Sequence, residues 1–234
     1  MIGYYNYTVI LTYLSVVSGT LGIIVCLSGI GHPFIGMFFL MLSGLCDTFD
    51  GRVARTKKDR TAAQISFGIQ IDSLADLISF GVLPPCIGIA MLRISPKYSD
   101  VPHILHQQVG EPRIIYPVFL IGIGILYVLA AVIRLAYFNV LEEHGSSGEK
   151  QVRKYFTGLP TTSAALIFPT VLLIQYVTKS ELAIIYFGVM LITAFLFVSR
   201  IRVPKPNLKM VFVLLGIGTV EFILLLIIRF FLKR

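Results

Sequence analysis

The sequence predicts an all-α integral membrane protein, a single domain over residues 1–234 with about seven transmembrane helices. Three observations predict it. Of the 234 residues 56% are hydrophobic and only 14% charged, against roughly a quarter charged in an ordinary soluble domain. Seven apolar runs are each long enough to cross a hydrocarbon core of about 30 Å, which takes about 20 helical residues. The basic residues gather in short loops beside alternate runs, the pattern that sets membrane topology.

The runs lie near 7–29, 33–56, 63–92, 114–139, 159–178, 181–199 and 208–232. The first does not read as a cleavable signal, because Met1-Ile-Gly-Tyr-Tyr-Asn6 lacks a basic start and no A-x-A-like site follows. The longest polar stretches, 93–113 and 140–157, read as connecting loops. Loops near 52–60, 150–154 and 200–209 hold Arg52, Arg55, Lys57, Lys58, Arg60, Lys150, Arg153, Lys154, Arg200, Arg202, Lys205 and Lys209. That placement puts these loops and the N-terminus on the cytoplasmic side of a cell membrane. It also explains the net charge of +8 without a nucleic-acid partner. Cys26, Cys46 and Cys86 are isolated within or beside apolar runs and form neither a disulfide framework nor a CxxC site.

Asp47, Asp50, Asp72 and Asp76 fall where two apolar helices approach the cytoplasmic surface. A carboxylate at the centre of a membrane helix costs about 2.5–3.5 kcal/mol on insertion scales, so such groups are functional candidates that need partners. Asp47 and Asp50 are i,i+3 and Asp72 and Asp76 are i,i+4, so each pair shares a helix face. Two such faces turned together make a four-carboxylate box, whose hard oxygens suit magnesium, manganese or calcium. The competing reading pairs the aspartates with Arg52, Arg55 and Arg60. Gly51, Ala54 and Gly68 keep the same faces small, so a flat ligand or second backbone can approach, and Arg55 can present a guanidinium fork to a phosphate.

The string Asp47-Thr-Phe-Asp50-Gly51-Arg-Val-Ala54-Arg55, followed by Gly68-Ile-Gln-Ile-Asp72-Ser-Leu-Ala-Asp76, resembles the signature of the CDP-alcohol phosphotransferase family, D-x2-D-G-x2-A-R then G-x3-D-x3-D. All eight signature positions match. Twelve residues separate Arg55 from Gly68 where the family usually has eight or nine, so a lengthened loop is expected within Thr56–Phe67. Ser73-Leu-Ala-Asp76-Leu-Ile-Ser-Phe-Gly81-Val, Arg134-Leu-Ala-Tyr-Phe-Asn139 and Phe156-Thr-Gly158-Leu-Pro160 look like the membrane-embedded phosphatidylserine synthase branch.

The resemblance implies a homodimer round a six-helix core that moves a phosphatidyl or archaeal lipid phosphate group from a CDP-lipid to L-serine, releasing CMP. It implies two divalent ions, Mg2+ or Mn2+ with Ca2+ an alternative, on Asp47, Asp50 and Asp72, with Asp76 touching the second. It also implies that Asp76 takes the proton from the attacking hydroxyl, and that Gly51, Ala54, Arg55 and Gly68 receive the CDP-lipid.

A zwitterionic acceptor needs a cation for its carboxylate. Arg134, the basic residue far from the ends of the run Ile114–Asn139, is the candidate, with Glu221 as its alternative structural partner. Asn139 is a second candidate for serine, and Thr157 and Gly158 are weaker ones. His103 and His106 read as solvated loop residues, and Glu221 as a packing or dimer residue. Two competing functions are the same chemistry on glycerol phosphate or inositol phosphate, and a cation transporter with the aspartates as its permeation site.

Overall fold

In the computed structural model, residues 3–28, 32–94, 112–145, 155–178, 183–204 and 208–231 are described. Seven helical columns stand in the described residues, one for each apolar run. They are α1 (Ile10–Leu27), preceded by a short 3-10 turn at Tyr7–Val9; α2 (Pro33–Thr56); α3 (Ala62–Asp76), continuing through a π segment (Leu77–Val82) into α4 (Leu83–Ile94); α5 (Pro112–Gly145); α6 (Ala164–Thr178); α7 (Ala183–Val198); and α8 (Leu208–Phe231). Five stretches, Tyr7–Leu27, Pro33–Thr56, Ala62–Ile94, Val118–Leu141 and Met210–Ile227, are long and apolar enough to cross a membrane, while Thr161–Ile174 and Ala183–Val198 are shorter apolar helices. The chain is thus a multi-pass helical membrane protein.

Local chemistry sets the helix ends. Pro33 takes the first position of α2, where its missing N–H costs nothing, and His32 Nδ1 caps the helix by accepting from Phe34 N. Thr61 and Gln64 form a reciprocal capping box at the start of α3, each side chain bonding the other's backbone N–H at 3.2 Å. Of the twelve residues between Arg55 and Gly68, Thr56 ends α2 and Ala62–Phe67 begin α3. The connection itself is therefore only residues 57–61. The expected loop is mostly helix, because a strong cap at Thr61, seven residues before Gly68, starts α3 early.

The π segment has a cause in the prolines after it. An α-helical bond to the Phe80 carbonyl would come from residue 84 and a π-type bond from residue 85, and both are proline, which has no N–H. The orphaned carbonyl is taken instead by the buried Tyr127 hydroxyl of α5, which donates at 2.8 Å. Likewise the Tyr186 hydroxyl of α7 donates to Pro84 O at 2.9 Å. These two fully buried tyrosines pack edge-on or tilted against Phe168, Phe187 and Phe197, and with Met37, Leu40, Leu83 and Ile87 they form the centre of the core.

α1 packs on α2 and the π segment through small residues, which let helices approach closely where no hydrophobic force drives them together. A Cβ on Gly19 would lie 2.6 Å from Ser79 Oγ. Ser43 and Ser79 both donate to the Ser15 carbonyl.

One departure from an all-helical chain is a two-stranded antiparallel clip of β1 (Tyr155–Thr157) and β2 (Arg202–Pro204), with Phe156 opposite Val203. Gly158 follows β1 at φ +79, donating from its N–H to Ile201 O, while Leu159 N donates to Leu196 O. The Tyr7 hydroxyl meets Thr56 Oγ1 at 3.2 Å and Arg52 lies over the Phe212 ring. The N-terminus, the 57–61 connection, the clip and the start of α8 therefore share one end of the bundle. This agrees with grouping the basic loops on one side; residues 150–154 and 205–207 of those loops, and His103 and His106, lie outside the described residues.

Candidate active site

The predicted carboxylates converge. Carboxylate oxygens of Asp47 and Asp50 from α2 and Asp72 from α3 all lie within 4.8 Å of one another. Asp76, one turn beyond Asp72, lies within hydrogen-bond reach of Asp47, and Asp50 within reach of Asp72. Thr12 Oγ1 of α1 donates to Asp50 Oδ2 at 3.2 Å, and Thr161 Oγ1, just before α6, donates to Asp76 Oδ2 at 3.1 Å. Four like charges in such contact repel strongly unless cations sit among them, and short carboxylates alone are hard oxygen donors. This donor set fits divalent ions.

The arginines do not neutralise the cluster as a set. Arg55 is close enough to Asp50 to act on its charge, but Arg52 lies over the Phe49 and Phe212 rings and Arg60 donates to the Ala54 carbonyl at 3.3 Å. Arg52 and Arg60 are thus engaged elsewhere, and simple ion pairing with these three arginines, the competing reading of the aspartates, does not explain the cluster.

Beside the cluster runs a groove of about 1010 Å³ between α2, α6 and α8. Asp47, Thr48, Gly51, Arg52 and Arg55 line its polar end, while Phe38, Met41, Leu42, Leu214 and Phe222 line the remainder. A Cβ on Gly51 would meet nothing within 4 Å, so this glycine borders open space, whereas one on Gly68 would lie 2.9 Å from Arg60 Nη2. Of the two glycines expected to keep a ligand face clear, Gly51 does so and Gly68 is covered by a guanidinium.

Arg134 is 8% exposed, and its Nε has no hydrogen-bond partner. Its charged neighbour is Asp76. Glu221, the alternative partner, instead accepts from Thr170 Oγ1, tying α8 to α6 as a packing residue. Asn139 accepts from Ser73 Oγ at 2.7 Å and donates to Gln70 Oε1 at 3.2 Å, so it braces α5 against α3. Thr157 and Gly158 belong to the clip and place Thr161. Thr12 and Thr161 escaped the sequence reading; Thr161 directly follows the Phe156–Pro160 stretch, and that adjacency was the available signal.

A bundle of membrane-crossing helices that turns four carboxylates to one point, beside a groove polar at one end and apolar along its length, defines a class: multi-pass membrane proteins with a cluster of hard oxygen donors next to an amphipathic groove. Within that class the chain belongs to the CDP-alcohol phosphatidyltransferase family, whose model matches residues 5–199.

Among curated relatives, the chain is 34% identical over 167 residues to a CDP-diacylglycerol–serine O-phosphatidyltransferase of Saccharomyces cerevisiae, covering 67% of this chain and 50% of the relative. It is 29% identical over 198 residues to an archaetidylserine synthase of Methanothermobacter thermautotrophicus, covering 85% and 69%. It is 29% identical over 190 residues to a CDP-diacylglycerol–serine O-phosphatidyltransferase of Helicobacter pylori, covering 76% and 67%. The match thus spans half the length of the yeast relative and about two-thirds of the other two.

Proposed function

We propose that the chain transfers a phosphatidyl or archaeal lipid phosphate group from a CDP-lipid to the hydroxyl of L-serine, releasing CMP. The observation that carries this reading is the buried Arg134 guanidinium beside Asp76, a cation for an amino acid's carboxylate next to a base for its hydroxyl. The names of the relatives support the acceptor; the four-aspartate signature supports the chemistry.

In this reading the groove takes the lipid chains along Phe38, Met41 and Phe222, with the pyrophosphate at the Asp47–Arg55 end. Asp47, Asp50 and Asp72 would hold two divalent ions, Mg2+ or Mn2+, with Asp76 touching the second. Bound ions supply neutralisation of the pyrophosphate charge. Arg134 pairs with the serine carboxylate and orients the side-chain hydroxyl toward Asp76. Asp76, held by Thr161, accepts the hydroxyl proton as the serine oxygen bonds to the phosphorus that carries the lipid. The bond from that phosphorus to the bridging oxygen breaks, and its electrons leave with CMP, whose phosphate Arg55 receives. A positioned carboxylate base contributes typically about 10²–10⁴-fold.

The basic end of the bundle faces the cytoplasm in this reading, where serine and CMP are soluble, and the assembly is a homodimer. An acceptor screen is the test: purified protein with radiolabelled CDP-lipid and Mn2+ is offered serine, glycerol phosphate or inositol phosphate in turn. Lipid product and CMP with serine are expected. Product with inositol phosphate and none with serine overturns the acceptor, and ion flux in liposomes without CMP release overturns the reaction.

A further inference from the structure

Arg60 lies in the stretch where this chain is longer than the family signature, and the structure gives it a fixed place. Thr61, its neighbour, is locked as the cap of α3 by the box with Gln64, and the far end of the connection is held where Tyr7 meets Thr56. The side chain turns back across the gap between α2 and α3, donating from Nη1 to the Ala54 carbonyl at 3.3 Å. Its Nη2 sits 2.9 Å from where a Gly68 Cβ would be. Ala54 is one helical turn from Asp50, and Gly68 is one turn from Asp72, so the guanidinium lies about 5 Å along both helices from the carboxylate cluster.

A guanidinium has five N–H donors in a planar fork, and Ala54 takes one; among the described residues no other hydrogen bond to Arg60 is recorded. Capping the end of α2 explains that single bond but not why the fork is seated on the small face of both signature helices. A cation one turn from a cluster that gathers phosphate through metal ions is placed for the anionic part of the same ligand that faces away from the lipid.

We propose that Arg60 is a binding residue for the leaving nucleotide, contacting the phosphate of CMP at the cleft between α2 and α3. The proposal rests on the reading of the site as a CDP-lipid transferase. In it, the missing side chain at Gly68 leaves room for the guanidinium, and the added residues before Gly68 serve to deliver the cation.

The experiment measures CMP binding by calorimetry to the full chain in detergent with Mn2+ present, alongside Mn2+ affinity alone and the KM values for CDP-lipid and serine. Arg60→Ala is expected to weaken CMP binding about 10–100-fold, the scale of a hydrogen bond to a charged group, and to raise the KM for CDP-lipid. Mn2+ affinity and the KM for serine stay at wild-type values. Arg60→Lys recovers part of the loss, as a point charge without the fork.

Gly68→Ala, which pushes the guanidinium aside, weakens CMP binding in the wild-type background and adds little in the Arg60→Ala background. CMP affinity within about twofold of wild type in Arg60→Ala, a parallel loss of Mn2+ affinity, or additive losses in the double variant would overturn the assignment. A wild-type chain that releases no CMP from CDP-lipid with any acceptor overturns the transferase reading itself. An active wild type with an unaffected Arg60→Ala overturns this inference alone.

Discussion

Thr161 reaches Asp76 from a different part of the chain, eighty-five residues later, and donates to its Oδ2 at 3.1 Å. The bond fixes one of the two carboxylate oxygens of Asp76. Thr161→Val keeps the shape and deletes the donor, so kcat is expected to fall about tenfold, the scale of one hydrogen bond to a charged group, with the KM for CDP-lipid unchanged. Asp76→Asn goes further: it retains CDP-lipid and metal binding yet loses most of the single-turnover rate, because a lost base leaves the ground state intact. Loss of binding in step with rate in either variant assigns Asp76 to the metal site instead.

Asp47→Asn and Asp72→Asn remove members of the triad whose oxygens lie within 4.8 Å of one another. Each is expected to abolish turnover and to weaken Mn2+ binding by at least about tenfold, since even outer partners of a metal site cost 10–100-fold. Calorimetric titration of Mn2+ into both variants checks this. Wild-type affinity in both places the ions elsewhere.

Arg134→Ala takes away a buried cation whose Nε is unpartnered. The KM for serine should rise far more than that for CDP-lipid, with Arg134→Lys recovering part of the difference. Steady-state kinetics with each substrate varied separately decide, and equal effects on both would mark structural damage.

Gly158→Ala tests the clip. At φ +79 a side chain is strained, and the new Cβ would fall 2.6 Å from the Phe197 carbonyl oxygen, a backbone atom that cannot swing aside. A cost of about 1–3 kcal/mol is expected, read as a lower melting temperature in detergent. Because the clip delivers Thr161, kcat should fall with it.

Composition and apolar run length were enough to outline all seven columns, because a span is a local property of twenty or so residues. The aspartate cluster was legible for the same reason: Asp47 and Asp50, and Asp72 and Asp76, advertise a shared face by spacing alone. Thr12 and Thr161 were not, since their meaning depends on which helices end up adjacent. The connection before Gly68 is only five residues because the Thr61–Gln64 box starts α3 early, a helix signal carried by two polar side chains rather than by apolar spacing. The π segment could have been foreseen from Pro84 and Pro85, which deny Phe80 both of its helical donors, but Tyr127 as the substitute donor is visible only once α5 is packed.

The groove beside Asp47 is walled by membrane helices and flanked by Phe38 and Leu42, both more than a third exposed on the bundle's surface. In the proposed reading, the CDP-lipid is the amphiphile that would enter this groove, from the plane of the bilayer. Its occupancy then follows the mole fraction of the amphiphile among neighbouring lipids, and diluting that amphiphile with inert detergent or lipid slows the protein even when the amount per volume is held constant. For a chain built this way, saturation is a property of two-dimensional composition, and the membrane acts as the solvent in which its substrate concentration is defined.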